Sequence, residues 1–367
     1  MLDILLFILF IISVILQIGY LLTIHLGLRR VTKAKNPKPE PISVIICAKN
    51  QLSNLKILIP YLLNQSHPNF EIVIVNDRST DGTREFLDDQ KKSTSKLTLV
   101  HVEETPGHID PKKYAITLGV KAAAHEKLIF TDADCYPNSN HWLIHLSSGL
   151  TDDRSIVLGY SGYEKEDGFL NYFIRFETIW TGSQYISLAA LGHPYMGVGR
   201  NMGYKKSLFL NSTGFNGYQK LTGGDDDLFV QKNANPINTS IVIGPESLVW
   251  SKPKQTWREY YIQKLRHLSI GKQYSFKSKA ILSVWSSSHF LFWLLLISLA
   301  IFRIEPYLCA GFFFLRTFIF YFTFKRSSQK FGERFDLWGL MALDCIFVIY
   351  YTIVGIMALF TKRVKWI

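Results

Sequence analysis

The chain has 367 residues, 48% of them hydrophobic, and a formal net charge of +12. A slightly positive mean hydropathy sets it apart from an ordinary soluble enzyme, and its length exceeds one small domain. No basic stripe interleaved with base-stacking aromatics is present, which argues against a nucleic-acid partner. Four cysteines without paired spacing, Cys47, Cys135, Cys309 and Cys345, argue against a zinc site or a disulfide framework.

Residues 4–27 contain no Asp, Glu, Lys or Arg, and about 20 such residues cross a hydrocarbon core. No basic segment precedes them and no small-residue cleavage site follows. They are therefore predicted to be a retained anchor within residues 1–30, not a signal peptide. Residues 31–41 are a basic, Pro-containing linker. Arg29, Arg30, Lys33, Lys35 and Lys38 follow the span and only Asp3 precedes it. The positive-inside rule then puts the next domain in the cytoplasm.

From 42 to 255, strands and helices alternate. Residues 42–47, 70–75, 96–102 and 127–131 are β-branched or apolar runs, as buried parallel strands are. Residues 53–64 repeat apolar positions at helical spacing. Thr80 and Asp81 are candidate caps for the next helix, and Asp110 caps another with Pro111 at its first position. The alternation predicts an α/β domain with a mainly parallel sheet and helices on both faces. In such sheets ligands bind beyond the carboxyl ends of the strands. Residues 168–191 form an aromatic helix, either on the membrane surface or in the core. Residues 256–280 form a basic interfacial helix. Within the C-terminal membrane region, 281–367, the candidate spans are 281–302, 307–324 and 337–360. Four full crossings would put the tail Lys362-Arg363-Val364-Lys365 on the wrong side for the charge rule. The alternative is a last segment that lies in the interface or re-enters. Arg316 and Asp344 fall inside candidate spans, which is costly unless they face protein or each other.

Polar clusters follow the strand ends. Asp132-Ala133-Asp134 comes directly after the fourth strand. Mg2+ and Mn2+ favour such oxygen ligands and share them with a substrate diphosphate; the alternative is a solvated turn. Asp77 either caps a polar turn or accepts a hydrogen bond from a nucleotide. Lys112 and Lys113 open a helix and suit phosphate oxygens, or are simply solvated. Asp225, Asp226 and Asp227 repel one another, which raises the pKa of at least one. That fits a general base for a hydroxyl acceptor; the alternative is acids complementing a helix dipole. Gln263, Arg266 and His267 share one helix face. An Arg there can hold a leaving diphosphate or face lipid headgroups.

The motifs run in order: Ser43-Val44-Ile45-Ile46-Cys47-Ala48-Lys49-Asn50, then Val75 to Thr83, Lys112 and Ala115 before Gly119, Thr131 to Asp134, Gly199-Arg200-Asn201-Met202-Gly203-Tyr204, Gly224-Asp225-Asp226, and Gln263 to Arg266. The set resembles the family-2 glycosyltransferases. Within them it is similar to the membrane-anchored branch of cellulose, chitin and hyaluronan synthases and lipid or carotenoid glycosyltransferases. The resemblance covers about residues 40–270 and implies a GT-A fold flanked by N-terminal and C-terminal transmembrane helices. It implies inverting, metal-dependent transfer from a nucleotide sugar, by family expectation a UDP-sugar, with Mg2+ or Mn2+ as cofactor. The acceptor would be lipid-linked or membrane-resident, at the cytoplasmic face. Ala48, Asn50, Asp77, Lys112, Asp132, Gln263 and Arg266 would bind the donor, with Asp77 on the base. Asp134 would be the main metal ligand, joined by Asp132. Asp226 would be the base, with Asp225 second. Gly199, Asn201 and His267 would lie on the acceptor side. Two residues depart from the pattern. His267 replaces a Trp, which weakens the alternative of a processive polysaccharide synthase. Pro111 replaces a Gly before Lys112. A second alternative is a catalytically silent membrane scaffold subunit, which the full set of carboxylates opposes.

Overall fold

A computed structural model describes residues 1–31 and 39–361. The linker residues Lys33, Lys35 and Lys38 and the tail from Lys362 lie outside the described residues. The chain starts with α1 (Leu2–Arg30) and continues into an α/β domain. Its first half comprises β1 (Ile42–Ala48), α2 (Leu52–Leu63), β2 (Phe70–Asp77), α3 (Thr83–Ser93), β3 (Leu97–Val102), α4 (Pro111–Ala122), β4 (Lys127–Phe130), β5 (Cys135–Pro137) and α5 (Trp142–Ser147). Its second half comprises β6 (Ile156–Leu158), β7 (Ser161–Tyr163), α6 (Phe169–Ala190), β8 (Met202–Lys205), α7 (Lys206–Asn211), α8 (Asp227–Asn233), β9 (Thr239–Ile241), β10 (Val249–Ser251) and α9 (Trp257–Ile270). Then come α10 (Phe276–Phe302), α11 (Pro306–Phe331) and α12 (Leu340–Phe360).

The main sheet has the order β3-β2-β1-β4-β8-β6-β9. β1 pairs in parallel with β2 and β4, and β2 with β3. Only β8 runs antiparallel to its neighbours. Successive residues of β1 face opposite layers: Val44 and Ile46 pack with Leu55 and Leu58 of α2, while Ile45 packs with Ile116 and Val120 of α4. Burial on both faces explains the unbroken apolar run. β8 and a small second sheet, β5-β10-β7, escape the sequence reading because three or four residues show too little periodicity. Asp110 caps α4 as expected, accepting from the backbone of Lys113. Thr80 does not cap α3. Asp81 accepts from the Thr83 N–H instead, and the Thr80 N–H donates to Asn50.

The aromatic helix α6 is a core helix. Phe173, Ile174, Phe176, Ile179 and Ile186 are fully buried around its circumference. The membrane helices cover the side that a soluble enzyme would leave wet. Ser187 donates to the Ile24 carbonyl of α1 at 2.9 Å. A Cβ at Gly27 would lie 2.5 Å from the Ser187 backbone, so α1 needs glycine to approach this closely. Phe176 stacks on Phe324 of α11.

Among the described residues four helices, α1, α10, α11 and α12, are long and apolar enough to cross a membrane. Arg316 and Asp344 do face each other, with Nη2 to Oδ1 at 3.2 Å. The same guanidinium donates to Gln17 at 2.9 Å, and Trp293 and His289 reach the Asp344 carboxylate from α10. Buried charge is tolerable there because the guanidinium and the carboxylate pair and each takes a further polar partner.

The last helix meets the α/β half along its length. At its start the Gly339 N–H donates to the Tyr172 hydroxyl of α6, and at its end Lys272 donates to the Thr361 carbonyl. Near its middle Tyr350 stacks on Tyr260 of α9. A 21-residue helix is about 31 Å long, so a crossing would carry one end to the opposite side. Both ends instead meet the α/β half. α12 is one unbroken helix that touches the α/β half at its start, middle and end, while Asp344 in its second turn reaches Arg316. The other boundaries also move: α10 starts at Phe276 and α11 extends to Phe331, beyond the apolar cores predicted.

Candidate active site

The carboxyl ends of β1 and β4, the starts of α4 and α8 and one face of α9 enclose a single cleft. Lys112, Asp132, Asp134, Asp225, Asp226, Gln263, Arg266 and His267 all line it. Each arrives from an independent local feature. The β4 strand stops at Phe130 and releases Asp132 and Asp134. The Asp110-Pro111 cap fixes where α4 begins and so aims Lys112. Gly223 and Gly224 both adopt positive φ and turn the chain so that three acids can open α8. A capping box of Thr256 and Glu259 sets the start of α9.

Lys112 is the electrostatic hub. Its Nζ lies 3.2 Å from Asp132 Oδ1 and 3.2 Å from Asp225 Oδ2. Burial alone would lower its pKa, but Asp132 and Asp225 outweigh burial and hold it well above the lysine range. Burial would raise Asp225, and Lys112 with Lys113 reverses that, leaving its carboxyl below the usual range. Asp226 goes the other way: burial and then the neighbouring Asp225 push it up. Asp227 is raised well above the usual range by burial and by Asp226, and it accepts from the Tyr274 hydroxyl at 2.7 Å. Adjacent carboxylates with pKa values driven apart are what a pairing of charge holder and base requires. His267 is held well below the usual histidine range by burial and then by Lys264 and Arg266, so its ring is neutral.

Other expected residues sit differently. Asp77 is buried at the end of β2. Its Oδ1 pairs with Arg78 at 2.8 Å and its Oδ2 has no protein partner among the described residues. A buried, unpaired carboxylate oxygen is a ready acceptor for a ligand N–H or O–H. Ala48 is buried at the end of β1. Asn50 stands beside the cleft with positive φ and accepts from the Thr80 N–H. Lys113 is neither solvated nor in the cleft, for its ammonium is spent on the carbonyls of Leu221 and Gly223. Gly199 reaches the site through its backbone, donating to Asp226. Asn201 does not face the acceptor side. It is fully buried, donating to the carbonyls of Tyr160 and Ser247 and accepting from Trp142 Nε1.

Three features were missed by the sequence reading. Arg200 lines the cleft with its guanidinium 4.5 Å over the Tyr163 ring, and its buried Nη1 has no protein partner among the described residues. Tyr163 accepts from Gln263. Lys264 pairs with Glu177 of α6, which also accepts from Tyr260 and Tyr351. Arg200 lay inside a quoted motif, so only its orientation was hidden. Glu177 gave no signal, because Lys264, Tyr260 and Tyr351 reach it from α9 and α12.

Among the described residues no three acidic, His or Cys side chains gather closely enough to cage an ion. That does not disqualify Mg2+ or Mn2+, which are commonly held by one or two carboxylates and substrate phosphates. Asp134 fits this role best: among the described residues its carboxylate takes no hydrogen bond but a weak one from the Cys135 thiol at 3.5 Å. Asp132 has one oxygen committed to Lys112.

Residues 43–211 match the protein family described as Glycosyl transferase family 2. The glycosyltransferase GlyG of Streptococcus pneumoniae is 26% identical over 136 residues, 37% of this chain and 44% of that protein. A poly-beta-1,6-N-acetyl-D-glucosamine synthase of Staphylococcus epidermidis is 30% identical over 102 residues, 28% of this chain and 24% of that protein. The chain thus spans less than half the length of these curated relatives. The mannosyltransferase PcManGT of Pyrobaculum calidifontis, solved in complex with GDP-Man and Mn2+, superposes with a TM-score of 0.62 at 17% identity. The match covers 97% of this chain and 100% of that one, a likeness of fold.

Proposed function

With residues 43–211 belonging to glycosyl transferase family 2, we propose that this chain is a membrane-embedded transferase that moves a sugar from a nucleotide sugar to a membrane-resident acceptor. The carrying observation is the convergence of Asp132, Asp134, Lys112, Asp226 and Arg266 on one cleft. Asp77 takes the base and Asp132 the ribose or diphosphate. Asp226 accepts the proton of the acceptor hydroxyl as its oxygen attacks the anomeric carbon in line and inverts it. The bond to the diphosphate breaks, and Lys112, Arg266 and Arg200 are the cations that meet the charge developing there. A divalent metal held by Asp134 and the diphosphate supplies further neutralisation of that charge when bound. The donor is a UDP-sugar and the domain faces the cytoplasm, where the basic residues after α1 favour it.

The test is nucleotide release from a panel of UDP-, GDP- and TDP-sugars, with Mn2+ or Mg2+, by the full chain in nanodiscs. Release from one donor supports the reading and names the sugar. Silence with every donor, with and without membrane lipid extract as acceptor, would sink it. A long polymeric product would favour the processive synthase instead.

A further inference from the structure

The carboxyl-terminal turns of α1 and α11 carry a cluster of cations that the cleft does not use. The two helices run side by side in the same direction. Arg316 donates to Gln17 at 2.9 Å, and fourteen positions further on in each, Lys330 Nζ donates to the Val31 carbonyl at 3.1 Å. Near the second contact stand His25 and Arg29 of α1 and Arg326 and Lys330 of α11. The charged neighbours of His25 are Arg326 and Arg29, and that of Lys330 is Arg326. None of the four enters an ion pair among the described residues. The rest of the chain cannot supply the missing acid, because residues 32–38 and 362–367 contain no Asp or Glu. Arg326 is half-buried, and its buried Nε has no protein partner among the described residues.

Like charges repel, and a buried donor without a partner is costly, so this arrangement calls for an anion. A phosphate suits it, since guanidinium and ammonium groups bond phosphate oxygens with charge assistance. The residues beside the cations indicate what the phosphate carries. Lys330, Arg326, Phe322 and Phe318 follow one another at four-residue steps and share a face of α11, and the two Phe rings lie 4.5 Å apart. Arg29, Leu22 and Ile15, at seven-residue steps, share a face of α1. Phe318, Phe322, Leu22 and Ile15 are all exposed. Cations at one end and bare carbon along the rest match a charged headgroup and its acyl chains, whereas a soluble phosphate would use only the first. We propose that the groove between the ends of α1 and α11 binds one anionic glycerophospholipid. Its phosphate rests on Arg326, Arg29 and Lys330, as headgroups do in basic pockets between membrane helices, and its chains lie on Phe322, Phe318 and Leu22. This lipid is neither donor nor acceptor, for none of these residues lines the cleft. By neutralising the cluster it holds together the two helices that cover α6.

The experiment is native mass spectrometry of the full chain in neutral detergent, offered equal amounts of phosphatidylglycerol and phosphatidylcholine. These two lipids share their acyl chains and differ in net charge. The expected result is one phosphatidylglycerol retained in clear excess over phosphatidylcholine. Arg326→Gln should cut that excess about fivefold, the usual worth of one basic residue at an anionic headgroup. Arg29→Gln should do the same, and because Arg29 is exposed it repeats the test should Arg326→Gln fold poorly. Lys277→Gln removes an equally exposed cation near the start of α10 and should leave the excess unchanged. Equal retention of the two lipids by wild type, or equal losses in all three variants, would overturn the site. Displacement of the bound lipid by inorganic phosphate would also overturn it, by assigning the cations to a soluble anion. No nucleotide sugar is present, so the outcome is independent of the nucleotide-release assay and of the transferase reading.

Discussion

The backbone N–H of Gly199 donates to Asp226 Oδ2 at 2.9 Å. This contact anchors the carboxylate proposed as the base to the loop leading into β8. A Cβ at Gly199 would come within 3.3 Å of the same oxygen, so a larger residue there would crowd the carboxylate. The hydrogen bond favours the ionised form, yet burial and Asp225 prevail and the pKa stays raised. Asp226 is thus held in place by one neighbour and tuned by another.

Replacing Asp226 with Asn is expected to cut transfer by about 10²–10⁴-fold, the usual worth of a general base, while nucleotide affinity measured by calorimetry is retained. The acid limb of kcat/KM should lie above the ordinary aspartate range. Asp225→Asn removes the like charge and frees Lys112 to act on Asp226, so the limb should move to lower pH. A limb that stays put in Asp225→Asn would assign the base elsewhere.

Asp134→Asn is expected to lower nucleotide release by about a hundredfold or more, as loss of a key electrostatic group does. The variant should also need more Mn2+ to reach half its maximal rate. Equal metal response in variant and wild type would remove Asp134 from the metal site.

Glu333 sits just past α11, accepting from Tyr160 and paired with Arg175 at 3.3 Å. Burial raises its pKa to about 7, from an ordinary 4.5. The folded state therefore binds this proton more tightly than the unfolded state. That contribution is fully present below about pH 4.5 and is lost as pH rises through 7. Its size is about 3 kcal/mol at most. Glu333→Gln should flatten this part of the pH dependence of thermal unfolding in detergent. A profile identical to wild type would show that the group does not titrate with folding.

Arg316→Met should destabilise the fold by about 3–5 kcal/mol, because Asp344 is left buried without its cation. Adding Asp344→Leu should recover much of the loss. Thermal unfolding of the two variants in one detergent reads the difference. Additive losses would mean that the pair is not coupled.

Because both ends of α12 meet the α/β half, its course can be read by labelling in a cysteine-free background. A cysteine added after Ile367 should react from the same side as one at Ser93 on the exposed end of α3. Reaction from the opposite side would make α12 a crossing helix.

Much of the site was legible because it is written locally. β-branched runs of five or six residues mark the central strands. Asp132, Asp134 and Asp77 stand immediately after them, and parallel strands must present their carboxyl ends together. The role of Asn201 was not legible. Its neighbours Gly199 and Arg200 turn to the cleft, while its amide turns inward to two carbonyls that the sheet brings from Tyr160 and Ser247.

The sequence by itself determined the α/β class, the parallel strands, the cap at Asp110 and the residue types at the cleft, since each depends on spacing within a dozen residues. Only the tertiary structure decided that Lys112, not Lys113, holds the acids, that α6 is core and that α12 packs along the α/β half. It also decided that Arg316 finds Gln17, 299 residues away. Those outcomes are contacts between helices and loops far apart in the chain. Periodicity reports which face of an element is apolar, but not which element will cover it.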